Sequence, residues 1–179
     1  MSTRIDSDAV TEHTIPVSLA EPGVALVIID MQYASAYRST GFGKWLDNHR
    51  RAAEGEYRFS RGAREFDFLD ELAPQPGDLV VTKPSAIAFS SSDIDALLRN
   101  LAMSTLVFAG VSTSQCVDLT ARDAADRGYR CVIVEDAVAE DVPEFHHATL
   151  EQFQRLFGAV MATDQVIAAA ERRAPGGKP

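Results

Sequence analysis

Residues 24–30 read Val-Ala-Leu-Val-Ile-Ile-Asp, a short apolar run that follows Pro22-Gly23 and stops at a carboxylate. Such a continuous run, rich in β-branched residues, is typical of a strand buried on both faces, as in a parallel sheet. Similar runs predict strands at residues 78–82, 105–109 and 129–134, and a weaker run predicts a fifth at 158–162. The sequence therefore predicts a sheet of mostly parallel strands.

Helical periodicity occupies most of the intervals between these strands. It predicts helices at residues 92–102, 114–127, 143–157 and 163–172. Ser92 would be the N-cap of the first helix, and Gly128 would end the second. The buried face of the first helix would consist of four apolar residues, Ile94, Leu97, Leu98 and Leu101. Strands that alternate with helices indicate an α/β fold with right-handed crossovers.

The composition fits one compact domain. The chain has 179 residues, of which 46% are hydrophobic, and its formal net charge is -9. We expect residues 1–20 to form a flexible lead-in, 21–172 the domain, and 173–179 a flexible tail. Because an acidic chain repels phosphate backbones, we expect no nucleic acid partner.

Cysteine usage and hydropathy bear on the compartment. Cys116 and Cys131 are too few for a disulfide framework, which favours a reducing, cytoplasmic setting. Cys131 lies within a predicted strand and is interpreted as an inert core residue. No apolar stretch reaches the ~20 residues that span a bilayer, so we expect no membrane partner.

Three reactive side chains follow three predicted strands. Asp30 follows the first strand, Lys83 the second, and Cys116 the third, where the chain enters a helix. Each has an ordinary explanation when taken singly: a turn residue, a solvated cation and a small core hydrophobe. Ligands of open parallel sheets bind beyond the carboxyl ends of the strands, so the three together predict one shared site.

These residue types suit nucleophilic catalysis. Cys116 would lie in the first turn of its helix, where the helix dipole favours the nucleophilic thiolate. Asp30 could accept the thiol proton and later pass it to a leaving nitrogen. Lys83 would offset the repulsion between carboxylate and thiolate. Ser112 or Thr113 would be the N-cap of this helix.

Residues around the cysteine would complete the site. The backbone N–H groups of Ser112, Gln115 and Cys116 would bind the oxyanion of a tetrahedral intermediate. Four residues would line the substrate pocket, with ordinary packing as the alternative for the aromatic ones: Tyr33, Tyr37, Phe89 and Val111.

At this point the sequence resembles the isochorismatase-like cysteine hydrolases. Ile-Ile-Asp-Met-Gln at 28–32 is similar to their first motif, and Lys83 with Ala88-Phe89 and 95–98 to their second. Gly-Val-Ser-Thr-Ser-Gln-Cys-Val at 110–117, continued by 120–129, is similar to the third. The resemblance implies a Rossmann-like three-layer α/β/α sandwich with a mostly parallel sheet. It also implies a non-proline cis peptide at Val111–Ser112.

The resemblance also implies roles and an activity. Asp30 would be the general base, Lys83 its electrostatic partner and Cys116 the nucleophile. A cysteine at this position resembles the amidases of the superfamily, so the implied enzyme is an amidohydrolase. It would cleave an amide, ureido or carbamoyl C–N bond of a small molecule through a thioester. Asp123 and Asp136 look like scaffold positions for capping and turns.

The resemblance bears equally on cofactors and assembly. Nicotinamidases of the superfamily add a metal site with an Asp-x-His element. The four histidines, His13, His49, His146 and His147, lack that spacing, so we expect no metal and no cofactor. By analogy with the family, the chain would form a homodimer or homotetramer.

One departure keeps a second hypothesis open. Family members have a helix and a strand between the first motif and the lysine, and neither pattern is present here. We hypothesise that a segment near residues 60–64 is missing from this chain. The alternative function is a catalytically idle scaffold that binds a small ligand or a partner protein. A dinucleotide-binding domain is a poor third possibility, because no G-x-G-x-x-G follows any predicted strand.

Overall fold

The computed structural model of the chain describes residues 19–32 and 67–172. In these ranges, four parallel strands form one sheet in the spatial order β1-β2-β3-β4. The strands are β1 (Val24–Ile29), β2 (Thr105–Val111), β3 (Arg130–Ala139) and β4 (Ala159–Met161). The predicted α/β fold with a parallel sheet is confirmed.

Five α-helices accompany the sheet in the described part of the chain. They are α1 (Ala88–Ser91), α2 (Ile94–Asn100), α3 (Asp118–Asp126), α4 (Pro143–Leu156) and α5 (Thr163–Glu171). A π-helical turn, Thr113–Val117, leads directly into α3, and a 3-10 turn covers Asp70–Leu72. Side chains of α1 to α4 pack on one face of the sheet and those of α5 on the other. The architecture is therefore the predicted three-layer sandwich.

The core follows the alternation of side chains along the central strands. Leu106 and Phe108 of β2 point toward α1 to α4, whereas Val107 between them points toward α5. Phe153 of α4 is fully buried in the first cluster, and Ala169 of α5 is buried in the second. Burying a side chain such as Leu106 or Phe108 contributes about 1.5–3 kcal/mol.

The predicted strand at residues 78–82 is wrong. This segment is extended chain without strand pairing, and Leu79 and Val80 are each 58% exposed. In the described residues the segment pairs neither with the open edge of β1 nor with another strand. An apolar run becomes a strand only where a neighbouring strand satisfies its N–H and C=O groups.

The outer strand of the sheet is correspondingly bare on one face. Ala25 and Val27 of β1 pack on the larger core cluster, to which Ile29 belongs. Leu26 and Ile28, on the opposite face, are 62% and 48% exposed. In the described part of the chain α5 packs over β3 and leaves this end of the sheet uncovered.

β3 is longer than the sequence predicts. It continues to Ala139, past the predicted end at residue 134, because a register shift near Phe108 lets it keep pairing with β2. Asp136 on this extension accepts the backbone N–H of Thr163 at 2.8 Å, so its predicted capping role is confirmed. Asp123 instead pairs with Arg127 one turn later on α3, at 2.9 Å.

The first predicted helix, at residues 92–102, is shorter than expected. Its N-cap is Asp93 and not the predicted Ser92, although Ser92 Oγ accepts the N–H of Ile94 at 3.3 Å. Ile94 and Leu98 are buried as predicted, but Leu101 is exposed. Its predicted place on the buried face is wrong because the helix ends at Asn100.

Several predictions fall outside the described residues. They concern Tyr33, Tyr37 and the segment near residues 60–64. None of the helices in ranges 19–32 and 67–172 has the length and apolarity to cross a membrane.

Candidate active site

The site begins where β1 and β2 end side by side. Ile29 is paired with Gly110 in the parallel ladder. A Cβ on Gly110 would lie 2.1 Å from the Ile29 carbonyl oxygen, and its φ is +115°. Only glycine fits this approach and this backbone conformation. The glycine therefore brings the residues after the two strands, Asp30 and the segment of Cys116, to one edge of the sheet.

Asp30 and Lys83 form an ion pair at this edge. Lys83 Nζ lies 2.7 Å from Asp30 Oδ2, and the two side chains are 14% and 25% exposed. Lys83 Nζ also donates to the carbonyl oxygen of Ser85 at 3.1 Å. Asp30 has φ +53°, a conformation that non-glycine residues rarely adopt outside functional or tightly held positions. The predicted convergence of these two residues is confirmed.

Lys83 reaches this position without belonging to the sheet. The chain after it is held by Thr120 of α3, which is fully buried. Thr120 Oγ1 accepts the N–H of Ala88 at 3.3 Å and donates to the carbonyl oxygen of Ala86 at 3.4 Å. The lysine segment is thus attached to the helix that follows Cys116.

Cys116 lies in the π-helical turn after β2 and is 8% exposed. The Val111–Ser112 peptide bond is cis, as the resemblance implies. Within the turn, the N–H groups of Gln115 and Val117 both donate to the Ser112 carbonyl oxygen at 3.2 Å. The Gln115 N–H is therefore already engaged, and binding an oxyanion would compete with this bond.

Ser112 occupies the N-cap position of this turn, as predicted, but its side chain makes no capping hydrogen bond. Its Oγ is buried with no hydrogen-bond partner in the described part of the chain. Thr113 Oγ1 is 3.0 Å from His146 Nδ1 of α4. The cap comes from Glu140, whose Oε2 accepts the backbone N–H of Ser114 at 3.0 Å and also its hydroxyl.

Glu140 is held as a carboxylate at this position. Burial alone would disfavour its charge. Hydrogen bonds from Asp141 and from both donors of Ser114 outweigh that effect and lower the pKa of Glu140 to about 2. An anion at the start of a helix is also favoured by the helix dipole.

The remaining predicted residues differ in their surroundings. Phe89 is buried against the Tyr129 ring, with centroids 5.7 Å apart, and beneath the Arg127 guanidinium. These contacts fit the alternative given above, in which Phe89 serves only to pack the core. A role of Phe89 in a substrate pocket stays a prediction. Val111 is half-buried. Cys131 is in the core as predicted, and burial raises the pKa of its thiol to about 12.

Two residues of the site were not predicted from the sequence. Glu140 follows β3 and His146 lies in α4, and both contact the cysteine turn. Asp30 was predicted because ligands bind beyond the carboxyl ends of parallel strands. The same rule would have predicted Glu140, which directly follows β3, but the sequence pattern ends that strand at residue 134. No comparable signal distinguishes His146 from its neighbour His147.

The chain enters and leaves this edge at one place. Gln32 forms an antiparallel bridge with Phe68, and Leu69 N donates to Met31 O at 3.2 Å. Residues 33–66 therefore depart and return directly beside Asp30. Within 19–32 and 67–172, no three His, Cys, Asp or Glu side chains are grouped so that they could hold a metal ion.

The fold is a three-layer α/β sandwich, and the candidate site lies beyond the carboxyl ends of its strands, where ligands of such sheets bind. Residues 43–165 match the isochorismatase domain family, which is more than half of the chain. The chain belongs to this family, as its three sequence motifs predict.

Curated relatives are amidohydrolases. The chain is 39% identical over 115 residues to the ureidoacrylate amidohydrolase RutB of Stutzerimonas stutzeri, covering 62% of this chain and 46% of the relative. It is 39% identical over 102 residues to RutB of Pantoea ananatis, covering 56% and 41%. The chain thus spans somewhat less than half the length of these relatives.

Solved structures agree on the fold. The N-carbamoylsarcosine amidase of Thermoplasma acidophilum superimposes with a TM-score of 0.60 at 27% identity, over 79% of this chain and 96% of the amidase. An isochorismatase-like hydrolase of Alkaliphilus metalliredigens gives a TM-score of 0.66 at 24% identity, over 82% and 96%. The second likeness supports the fold alone.

Proposed function

We propose that the chain is a cysteine amidohydrolase that cleaves a C–N bond of a small amide, ureido or carbamoyl compound. The observation that carries the proposal is the 2.7 Å contact between Asp30 and Lys83 at the end of β1, beside the strand that leads to Cys116. The amidohydrolase relatives support the same bond type. A ureido compound such as ureidoacrylate is accordingly the first substrate to test.

The reaction would have two steps. Asp30 takes the thiol proton as Cys116 Sγ attacks the carbonyl carbon, and the proton then passes to the leaving nitrogen. The C–N bond breaks, an amine or ammonia departs, and a thioester to Cys116 remains. Water then attacks the thioester, its proton returns through Asp30, and the acid product and the thiol are released. Lys83, whose Nζ lies 2.7 Å from Asp30 Oδ2, would offset the repulsion between the carboxylate and the developing thiolate.

The oxyanion of each tetrahedral intermediate needs donors near Cys116. Of the three predicted donors, the Gln115 N–H would have to leave the Ser112 carbonyl oxygen to bind an oxyanion. Removing one such donor typically costs on the order of 10²–10³ in rate. Tyr33, Tyr37 and Val111 would border the substrate.

The wider assignment follows from the same proposal. The domain would span residues 21–172 and need neither metal nor cofactor. The chain would act in the cytoplasm as a homodimer or homotetramer, with no nucleic acid or membrane partner. These are expectations from the composition and from the family resemblance.

A second function, an idle scaffold of the same fold, is favoured by one observation. Apolar side chains of the outer strand and of the lysine segment, such as Leu26 and Leu79, are exposed in the described part of the chain. Exposed apolar side chains of this kind are typical of a surface that binds another molecule.

Alkylation of Cys116 by iodoacetamide, followed by mass spectrometry across a pH series, separates the two functions. Cys131 is the internal control, since its buried thiol should react slowly. For an assembled site we expect Cys116 to react faster than a free thiol, with a pH midpoint that moves in Lys83→Met and in Asp30→Asn. Incubation with ureidoacrylate should release product from the wild type and not from Cys116→Ser. Labelling at the rate of a free thiol, unchanged in both variants, would favour the scaffold.

A further inference from the structure

Two side chains from one connection hold the turn that carries Cys116. The connection runs from Glu140, directly after β3, to His146 in the first turns of α4. Glu140 accepts from Ser114, and His146 is hydrogen-bonded to Thr113. The two contacts thus fix consecutive residues of the turn, and we call them the clasp.

Backbone bonds within the turn hold its local shape. The N–H groups of Gln115 and Val117 donate to the Ser112 carbonyl oxygen, and the N–H of Asp118 donates to the Thr113 and Gln115 carbonyl oxygens. The side chain of Ser112 makes no capping bond, and the hydroxyls of Thr113 and Ser114 bond to His146 and Glu140 of the clasp. The clasp therefore links the start of the turn to a separate element, the one that begins α4.

We propose that His146 and Glu140 are positioning residues that aim the Cys116 turn at the substrate carbonyl. Thr113 is fully buried, so its bond to His146 is protected from exchange with water. α4 is anchored in the core by Leu150 and Phe153, and the clasp transmits that fixed position to the turn. A nucleophile displaced by about 1 Å typically loses on the order of 10²-fold in rate. This inference deepens the proposed function and depends on it for its catalytic consequence.

A positioning role of the clasp and an ordinary capping role predict different effects on Cys116. A cap that serves only stability lowers the melting temperature and leaves the reactivity of the folded protein intact. A positioning contact changes the reactivity of Cys116, and a shape-matched variant that keeps the hydrogen bond restores it. The two partners of one bond must also act as a unit, so the effect of losing both equals that of losing either.

The experiment is a double-variant cycle on the complete chain with Thr113→Val, His146→Phe and both together. Two rescues keep the hydrogen-bonding atom, Thr113→Ser and His146→Asn. His147→Phe is the matched control, because it removes an exposed histidine from the adjacent position of the same helix. The readouts are the alkylation rate of Cys116, amide hydrogen exchange of residues 112–118, and the melting temperature.

We expect Thr113→Val and His146→Phe each to slow the alkylation of Cys116 by about tenfold, because a displaced thiol leaves the surroundings that favour its thiolate. Both should speed amide exchange in residues 112–118. The double variant should be no worse than either single one, the rescues should lie within about twofold of wild type, and His147→Phe should match wild type. Additive effects, or lower melting temperatures with unchanged alkylation and exchange, would overturn the proposal.

The outcome stays separable from that of the proposed function. If Cys116 of the wild type reacts no faster than a free thiol, the amidohydrolase proposal fails. Amide hydrogen exchange in the single and double variants then tests the clasp by itself. Faster exchange in residues 112–118 that is no greater in the double variant than in either single one supports the clasp. Additive increases, or no increase, refute it.

Discussion

The sheet has an inner half, β2 to β4, and an outer half, β1 with the lysine segment, and the two differ in how they are held. Leu106 and Phe108 of β2 are fully buried, whereas Leu26 of β1 and Leu79 of the lysine segment are mostly exposed. The inner half carries Cys116 and is fixed by ladders and core packing. The outer half carries Lys83, which is fixed by an ion pair and by the hydroxyl of Thr120. Cys116 therefore follows a strand that is paired on both sides, whereas the segment of Lys83 is held by side-chain contacts.

The largest expected effect tests the difference in burial between the two halves of the sheet. Leu106→Ala should lower the free energy of unfolding by about 2–5 kcal/mol, because it opens a cavity in the core. Leu26→Ala, the same change in the neighbouring strand, should alter it by less than about 0.5 kcal/mol because that side chain is exposed. Urea unfolding of both variants measures the difference. Equal losses would mean that both halves are packed alike.

The second largest effect on stability is expected where β1 of the outer half contacts β2 of the inner half. Gly110→Ala should lower the free energy of unfolding by about 2–4 kcal/mol, since its Cβ would overlap the Ile29 carbonyl and its φ is unfavourable for alanine. Gly128→Ala is the control, with φ +93° and nothing within 4 Å of its Cβ. It should show only the conformational part, about 1–2 kcal/mol. Thermal unfolding that ranks the two variants equally would contradict the close approach of β1 and β2.

A smaller effect tests how the outer half is attached. Thr120→Val keeps the shape and removes the hydroxyl that bonds Ala86 and Ala88, which should cost about 1–2 kcal/mol. Amide exchange at residues 84–88 should become faster than in β2. Thr120→Ser keeps the hydroxyl and should preserve slow exchange there. Unchanged exchange in Thr120→Val would show that the ion pair alone holds this segment.

The smallest effect concerns pH. The pKa of Glu140 is lowered from 4.5 to about 2, so its ionised form stabilises the fold above pH 4.5, and this contribution is lost as the pH falls toward 2. The free energy of unfolding of the wild type should therefore fall more steeply in that interval than that of Glu140→Gln. Denaturant titrations at several pH values make the comparison. Parallel curves for the two proteins would exclude this role of the Ser114 hydrogen bonds.

The contrast also explains which parts of the structure the sequence predicts. β1, β2 and the residues after them are marked by local signals: an apolar run, a glycine and a carboxylate or thiol at the end. The sequence also predicts that Asp30 and Lys83 lie close together, but it does so from a strand at 78–82 that the structure lacks; the segment of Lys83 is held by side-chain contacts instead. Whether residues 78–82 form a strand depends on pairing with a neighbouring strand, and the apolar residues of this segment do not specify that pairing.

The clasp illustrates a second limit. The sequence predicts Ser112 or Thr113 as the N-cap, and Ser112 takes that position, but the carboxylate that accepts the free N–H of Ser114 comes from Glu140. Contacts between residues as far apart in the chain as Thr113 and His146 depend on the length of β3 and the packing of α4. Those properties emerge only when all the elements are assembled.

The bridge between Gln32 and Phe68 joins the two ends of the long excursion that begins after Asp30. Because Gln32 and Phe68 are joined, a change in the number of residues between them need not move the backbone at Asp30. Insertions or deletions in that part of the sequence are therefore expected to leave the ion pair of Asp30 with Lys83 intact.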